Sequence, residues 1–215
     1  MIHSSWIGHR ANWPGNGERT GAAEVDKQGV QRPPVAGPPA VAKRSALYEG
    51  KAKILYETDD PHWLVVSYKD SATAFDGRKR GVIAGKGAVN NQTSALFFGV
   101  LEAAGVPTHF GRLLGPNESL VRRVRIIPIE MVVRNIAAGS LAKRLGLEEG
   151  TPLKHPVVET YYKNDALGDP MVNEDHIRVM GWATPDQLQR MRELALRVNE
   201  VLSPLLERAG LRLVD

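Results

Sequence analysis

In Gly50-Lys51-Ala52-Lys53 two lysines stand two residues apart. On a strand, side chains repeat every second residue, so both ammonium groups would leave one face and could clamp a polyphosphate. Gly50 would let the backbone approach such a ligand. The Gly-Lys-Ser/Thr ending of a Walker loop is absent, and two strand lysines read alone more often make a solvated face. Asp70 to Gly77 is a polar loop, followed by the basic, glycine-rich stretch Arg78 to Lys86. Asp76 could accept hydrogen bonds from a sugar or an amine, but Asp76-Gly77 is first of all a turn signal.

Ile127 to Ser140 is more informative, because Glu130 and Arg134 interrupt an otherwise apolar strand that runs into a helix start. A guanidinium buried without a partner is costly. A bound anion would solve that, with Arg134 giving a bidentate contact and Ser140 and the helix amides completing the cradle. Pairing of Arg134 with Glu130 would solve it equally well. Tyr161 to His176 gathers Lys163, Asp165, Asp169, Glu174 and Asp175 in a loop marked by Gly168 and Pro170. Its oxygens could bind a hard cation, yet they follow no EF-hand register, and a lysine among carboxylates is also what a solvated loop looks like. His176 beside Asp175 lacks a partnered nucleophile and reads as structural.

These groups need a scaffold. Short β-rich runs at Lys51–Tyr56, Trp63–Tyr68, His109–Leu114 and Ser119–Arg125 predict a twisted, mostly antiparallel sheet. Gln92 to Ala104 predicts a helix, with Leu96, Val100 and Ala104 at spacings of four and Gly105 as its stop. The apolar run Ile126 to Val133, interrupted by Pro128, hands over to a short helix from Ala138 to Leu145 closed by Gly146. Thr184 to Ala209 predicts the clearest helix. Thr184 caps it, Pro185 takes the first turn, and Leu188, Met191, Leu194, Ala195, Val198 and Leu202 form the buried stripe. Pro204 should kink this helix, and Leu211 to Val214 begins a new strand. Residues 1–44 mix Gly, Pro, Arg and Asn without apolar periodicity and read as a disordered extension.

With 215 residues, 42% of them hydrophobic, the chain can fill a real core. It has no cysteine, which excludes disulfides and thiolate metal sites and suits a cytoplasmic location. Apolar stretches such as Ser94 to Val100 fall far short of the roughly 20 residues that cross a bilayer. The net charge of +4 raises the question of a nucleic-acid partner. Residues 1–46, however, carry six Lys or Arg against three acids, and the remainder carries 22 against 21. A body so near neutral lacks the basic face that phosphate-backbone binding demands, so nucleic acid is not the expected partner.

Taken in order, Tyr48-Glu-Gly-Lys-Ala-Lys53, Ile127 to Ser140 and Lys163-Asn-Asp-Ala-Leu-Gly-Asp-Pro170 resemble the opening strand, signature block and acidic loop of the phosphoribosylaminoimidazole-succinocarboxamide synthase family. The resemblance runs from about Leu47 to Asp215, and residues 1–44 have no counterpart in it. It implies an α+β, two-lobed, SAICAR synthase-like ATP-binding fold with a twisted antiparallel sheet in the N-terminal lobe. Residues 45–127 would form that lobe and 128–215 a partial, substrate-binding C-terminal lobe, with nucleotide between them. The implied activity is ATP- and magnesium-dependent ligation of L-aspartate to carboxyaminoimidazole ribonucleotide in de novo purine biosynthesis.

Carried over by position, Lys51, Lys53 and Lys163 would contact ATP, with backbone near Val124 to Ile126 holding the adenine. Arg134 and Ser140 would bind the ribose phosphate. Asp76 and Asp169 would lie in the substrate cleft, with Asp215 on the ribose, and no residue receives a catalytic role. The family continues after Leu-Val-Asp with Phe-Lys-x-Glu-Phe-Gly, an Asp-Glu motif and an Arg-x-Trp motif, which supply magnesium-binding acids and a second phosphate-binding arginine. A chain ending at Asp215 therefore reads as a frame cut short, with the metal ligands outside it and full activity lacking. A homo-oligomer is compatible with the resemblance. A small-molecule kinase of similar lobes would keep the lysines without needing aspartate, and a nucleotide-binding or regulatory module would bind ATP without turnover.

Overall fold

A computed structural model describes residues 38–74 and 79–215, which fall into two units. One holds the described residues through Glu102 together with Pro107–Val124; the other holds Ala103–Val106 and Arg125–Asp215. The architecture is α+β with antiparallel sheets.

In the first unit, β1 (Lys43–Glu49), β2 (Lys53–Thr58) and β3 (Trp63–Tyr68) are followed by a small hairpin of β4 (Ser71–Ala74) and β5 (Lys79–Val82). Helix α1 (Lys86–Ala103), β6 (Phe110–Gly115) and β7 (Glu118–Arg122) complete it. The main sheet has five strands in the order β1-β2-β3-β7-β6, every pair antiparallel. Four consecutive residues of β3, Trp63 to Val66, are buried, the pattern of a strand covered on both faces. Trp63 and Val65 pack with Leu120, and Val41 and Tyr56 close over them. Phe98 of α1 meets Phe110 with ring centroids 5.9 Å apart.

Several boundaries shift from the sequence reading, among them β2 at Lys53–Thr58, β7 at Glu118–Arg122 and β8 at Ile129–Ile136, and two further shifts show their physical cause. Helix α1 starts six residues before Gln92, because the Asp70 carboxylate accepts hydrogen bonds from Gly87 N at 2.7 Å and Gly85 N at 3.1 Å and so closes an end that no nearby residue caps. Gly87 itself is required there, since a Cβ would stand 2.5 Å from the Tyr68 carbonyl oxygen. Strand β1 begins at Lys43, inside the segment read as extension; Lys43 pairs with Glu118 at 2.6 Å and lies 4.5 Å over the Tyr56 ring.

The second unit is built on β8 (Ile129–Ile136) and β9 (Pro152–Tyr162), a long antiparallel pair in which Ile129 faces Tyr162 and Arg134 faces Val157. Between them runs α2 (Gly139–Leu145), closed by Gly146 in the left-handed conformation. Helices α3 (Glu174–Val179) and α4 (Pro185–Arg208) follow. Ile129, Ile177, Ala183 and Leu188 form the core, with Met131, Val172, Trp182 and Met191 packed against it.

Thr184 and Gln187 make the capping box that starts α4, with Pro185 in the first turn, and the helix runs on through Pro204. Of its predicted stripe only Leu188 is buried; the others are half-buried. The second buried position is Asn199, which exchanges amide hydrogen bonds of 2.7 and 3.0 Å with Asn135 of β8, so a polar pair supplies part of the docking. Leu211 to Val214 forms no strand, because its link to β8 is the single backbone bond from Asn135 N to Val214 O, and one bond makes no ladder. Among the described residues no helix is long and apolar enough to cross a membrane.

Candidate functional site

Pairing of β8 with β9 sets Glu130 opposite Tyr161 and Val132 opposite Glu159. With side chains alternating, Glu130, Arg134, Glu159, Tyr161 and Lys163 fall on one face. Arg134, 8% exposed, spends its whole fork there. Its Nε donates to Glu159 Oε2 at 2.8 Å, its Nη2 to Ser140 Oγ at 3.3 Å and Tyr161 Oη at 3.4 Å, and its Nη1 to the Asp215 carboxylate. The other oxygen of Glu159 accepts from Arg144, and the Tyr161 hydroxyl donates to Oε2 at 2.8 Å.

Burial opposes the Arg134 charge, but the Glu159 and Tyr161 hydrogen bonds and the charges of Asp215 and Glu159 raise its pKa above the ordinary value. Burial likewise pushes the Glu159 carboxyl up, and Arg134, Tyr161 and Arg144 together bring it below the ordinary range. Pairing of Arg134 with Glu130, one of the two solutions open from sequence, does not occur. Four residues along a strand span about 13 Å, beyond the reach of that pair. Glu130 stands 3.5 Å from Lys163 instead.

Lys163 Nζ donates to Asp169 Oδ2 at 2.6 Å. The other Asp169 oxygen accepts from Asn164 N at 2.8 Å, and Asn164 caps the 3-10 turn Asp165–Leu167. Gly168 at φ 70° and Asp169 at φ 48° bring the loop back on itself, a left-handed step that Asp tolerates. The Asp169 hydrogen bond, with the charges of Glu130 and Asp169, raises the Lys163 pKa. His176 is spent in a capping box with Asn173, the structural role read from sequence.

Lys53 lies on β2, and burial lowers its pKa. Lys51 does not share its face. Gly50 N bonds Lys53 O at 2.9 Å and closes a turn that contains Lys51, so strand alternation starts only at Lys53. Near Lys53 sits His109, whose Nδ1 is buried with no hydrogen-bond partner and whose pKa is lowered to about 4, first by burial and then by the Lys53 charge. Val124 to Ile126 form an irregular, exposed stretch after β7. Asp76 lies outside the described residues.

The site thus brings Arg134, Ser140 and Asp215 together, and separately Lys163 with Asp169. A profile of the SAICAR synthetase family matches residues 46–215, most of the chain. The chain belongs to that family. A phosphoribosylaminoimidazole-succinocarboxamide synthase from Coprothermobacter proteolyticus is 56% identical over 173 residues, covering 80% of this chain and 73% of its own. The crystal structure of the synthase from Ehrlichia chaffeensis superposes with a TM-score of 0.75 at 44% identity, covering 79% of this chain and 72% of that one. A structure of SAICAR synthetase in complex with ADP gives a TM-score of 0.73 at 48% identity, covering 78% of this chain and 71% of that one. Sequence reasoning within the family block missed Glu159 and Arg144 and gave Tyr161 no role. The signal was present in Val157-Val-Glu159-Thr-Tyr161, where one acid interrupts an apolar run.

Proposed function

We propose that this chain joins L-aspartate to 5-amino-1-(5-phosphoribosyl)imidazole-4-carboxylate at the expense of ATP, giving SAICAR, ADP and phosphate. A carboxylate oxygen of the imidazole attacks the γ-phosphorus of ATP, the bond to the β,γ-bridging oxygen breaks, and ADP leaves an acyl phosphate. The aspartate amine attacks the acyl carbon, loses a proton and expels phosphate as the amide forms. Such transfers are accelerated mainly by positioning and charge neutralisation.

The observation that carries this reading is Arg134 beside Ser140 in the block 127–140 of a chain that belongs to this family. Arg134 stays charged and Ser140 adds a hydroxyl, which suits the ribose phosphate. Lys51, Lys53 and Lys163 serve ATP, with backbone at Val124 to Ile126 on the adenine. Burial penalises the charge of Lys53, so a phosphate beside it restores what burial removes. Asp76, Asp169 and Asp215 serve the substrates. Magnesium, when bound with ATP, neutralises phosphate charge. Among the described residues, no group of three or more His, Cys, Asp or Glu stands together to hold a metal, so they do not fit a cage and no step is assigned to the ion.

The test is ADP release with ATP, magnesium and the carboxylated imidazole nucleotide, with and without aspartate. Aspartate-dependent ADP release matched by the succinocarboxamide is the expected result. ADP release that ignores aspartate would replace the ligase with a small-molecule kinase, and ATP binding without turnover would replace it with a nucleotide-binding module.

A further inference from the structure

We propose that Glu159 is a positioning residue that aims Arg134 at the ribose phosphate of the substrate, a role that rests on the reading of Arg134 as the phosphate ligand. The two carboxylates on Arg134 are unlike. The Glu159 side chain is 6% exposed and the Asp215 side chain 32%. Glu159 takes the Nε edge, and it is itself fixed by Arg144 on one oxygen and by the Tyr161 hydroxyl on the other. A carboxylate with three donors on it cannot swing, so the guanidinium plane is set from the β9 side.

The remaining edge, Nη1 and Nη2, meets the more exposed Asp215 and the Ser140 hydroxyl. Two cations, Arg134 and Arg144, balance two anions, Glu159 and Asp215. A phosphate arriving at the Nη edge exchanges with or joins Asp215, the accessible partner, while Glu159 stays in place. Burial divides the two roles: Glu159 orients, and Asp215 occupies the edge a substrate oxygen would use. Without Glu159 the guanidinium keeps its charge but gains freedom about its last torsions, and the directional contact to a phosphate weakens.

The experiment measures dissociation constants by calorimetry for carboxyaminoimidazole ribonucleotide, for its dephosphorylated nucleoside and for ATP. Wild type should prefer nucleotide to nucleoside, and Arg134→Ala should abolish that preference. Glu159→Gln should lose roughly tenfold in nucleotide affinity, the scale of a misdirected positioning contact, with nucleoside and ATP unchanged. Glu159→Asp should recover part of the loss. A wild type that does not distinguish nucleotide from nucleoside removes the phosphate reading of Arg134 and this role with it. A discriminating wild type with an equally discriminating Glu159→Gln leaves that reading intact and overturns only the positioning role. A merely structural Glu159 would lower the melting temperature without moving the nucleotide-to-nucleoside ratio. If Glu159→Gln does not fold, Tyr161→Phe decides, because it removes the hydroxyl that bridges Glu159 and Arg134; an unchanged ratio there also overturns the proposal.

Discussion

Acidification should weaken this fold through His109. Its ring meets Phe98 edge-on at 6.5 Å, its Nδ1 is buried without a partner, and burial and Lys53 hold its pKa at about 4 against an ordinary 6.5. The unfolded chain therefore takes up a proton that the folded chain refuses. The stabilising contribution is fully present above the unfolded value and is lost progressively as pH falls toward the folded one. Linkage between those two values gives a loss of about 2 kcal/mol from pH 7 to pH 5, and a limit near 3 kcal/mol below pH 4. Replacing His109 by Gln keeps a polar group of similar reach with no proton to titrate. Urea unfolding of both proteins at pH 7, 6 and 5 isolates the difference, since every other titrating group is shared. Wild type should lose about 2 kcal/mol more than His109→Gln across that interval. Equal losses would show that His109 titrates alike in both states, and the argument from burial would be refuted.

Arg134→Ala leaves Glu159 buried with Arg144 and Tyr161 as its partners and should cost on the order of 3 kcal/mol, read as a lower urea midpoint. Gly87→Ala would press a Cβ to 2.5 Å from the Tyr68 carbonyl oxygen and displace the start of α1, at a cost of about 2 kcal/mol. Gly115→Ala, with nothing within 4 Å of its Cβ, should stay within about 0.5 kcal/mol in the same assay. Thr184→Ala removes the hydroxyl that accepts from Gln187 N at 3.2 Å and should lower stability by about 1 kcal/mol.

Elements whose ends are closed by their own neighbours could be read from the sequence. Helix α4 carries its cap, its capping-box partner and its first-turn proline within four residues, 184 to 187. Helix α1 does not, because Asp70 caps it from 17 residues before Gly87, and no local window joins the two. Strand β9 was hidden by Pro152 and Pro156, which argue against a central strand. It is tolerated because Pro152 is the first residue of the strand and Pro156 falls in the register shift between the Arg134–Val157 and Ile136–Pro152 pairs, where the ladder is already interrupted. Strand β1 is exposed along its whole length and shows no buried alternation; pairing with β2 holds it.

The site was legible one residue at a time but not as a set of partners. Arg134 announced itself as a charge in an apolar strand, and the sequence left Glu130 and a bound anion as its candidates. Strand geometry removes Glu130, since same-face residues four apart diverge by about 13 Å. The partner came from the neighbouring strand, where Glu159 is the same kind of anomaly with the opposite sign. Either charge alone would cost several kcal/mol in that setting, so each constrains where the other must lie. The pairing also fixes register. A slip of β9 by one residue would turn Glu159 to the opposite face and leave Arg134 without its buried partner, so the contact that prepares Arg134 for an anion is the one that holds β8 and β9 in step.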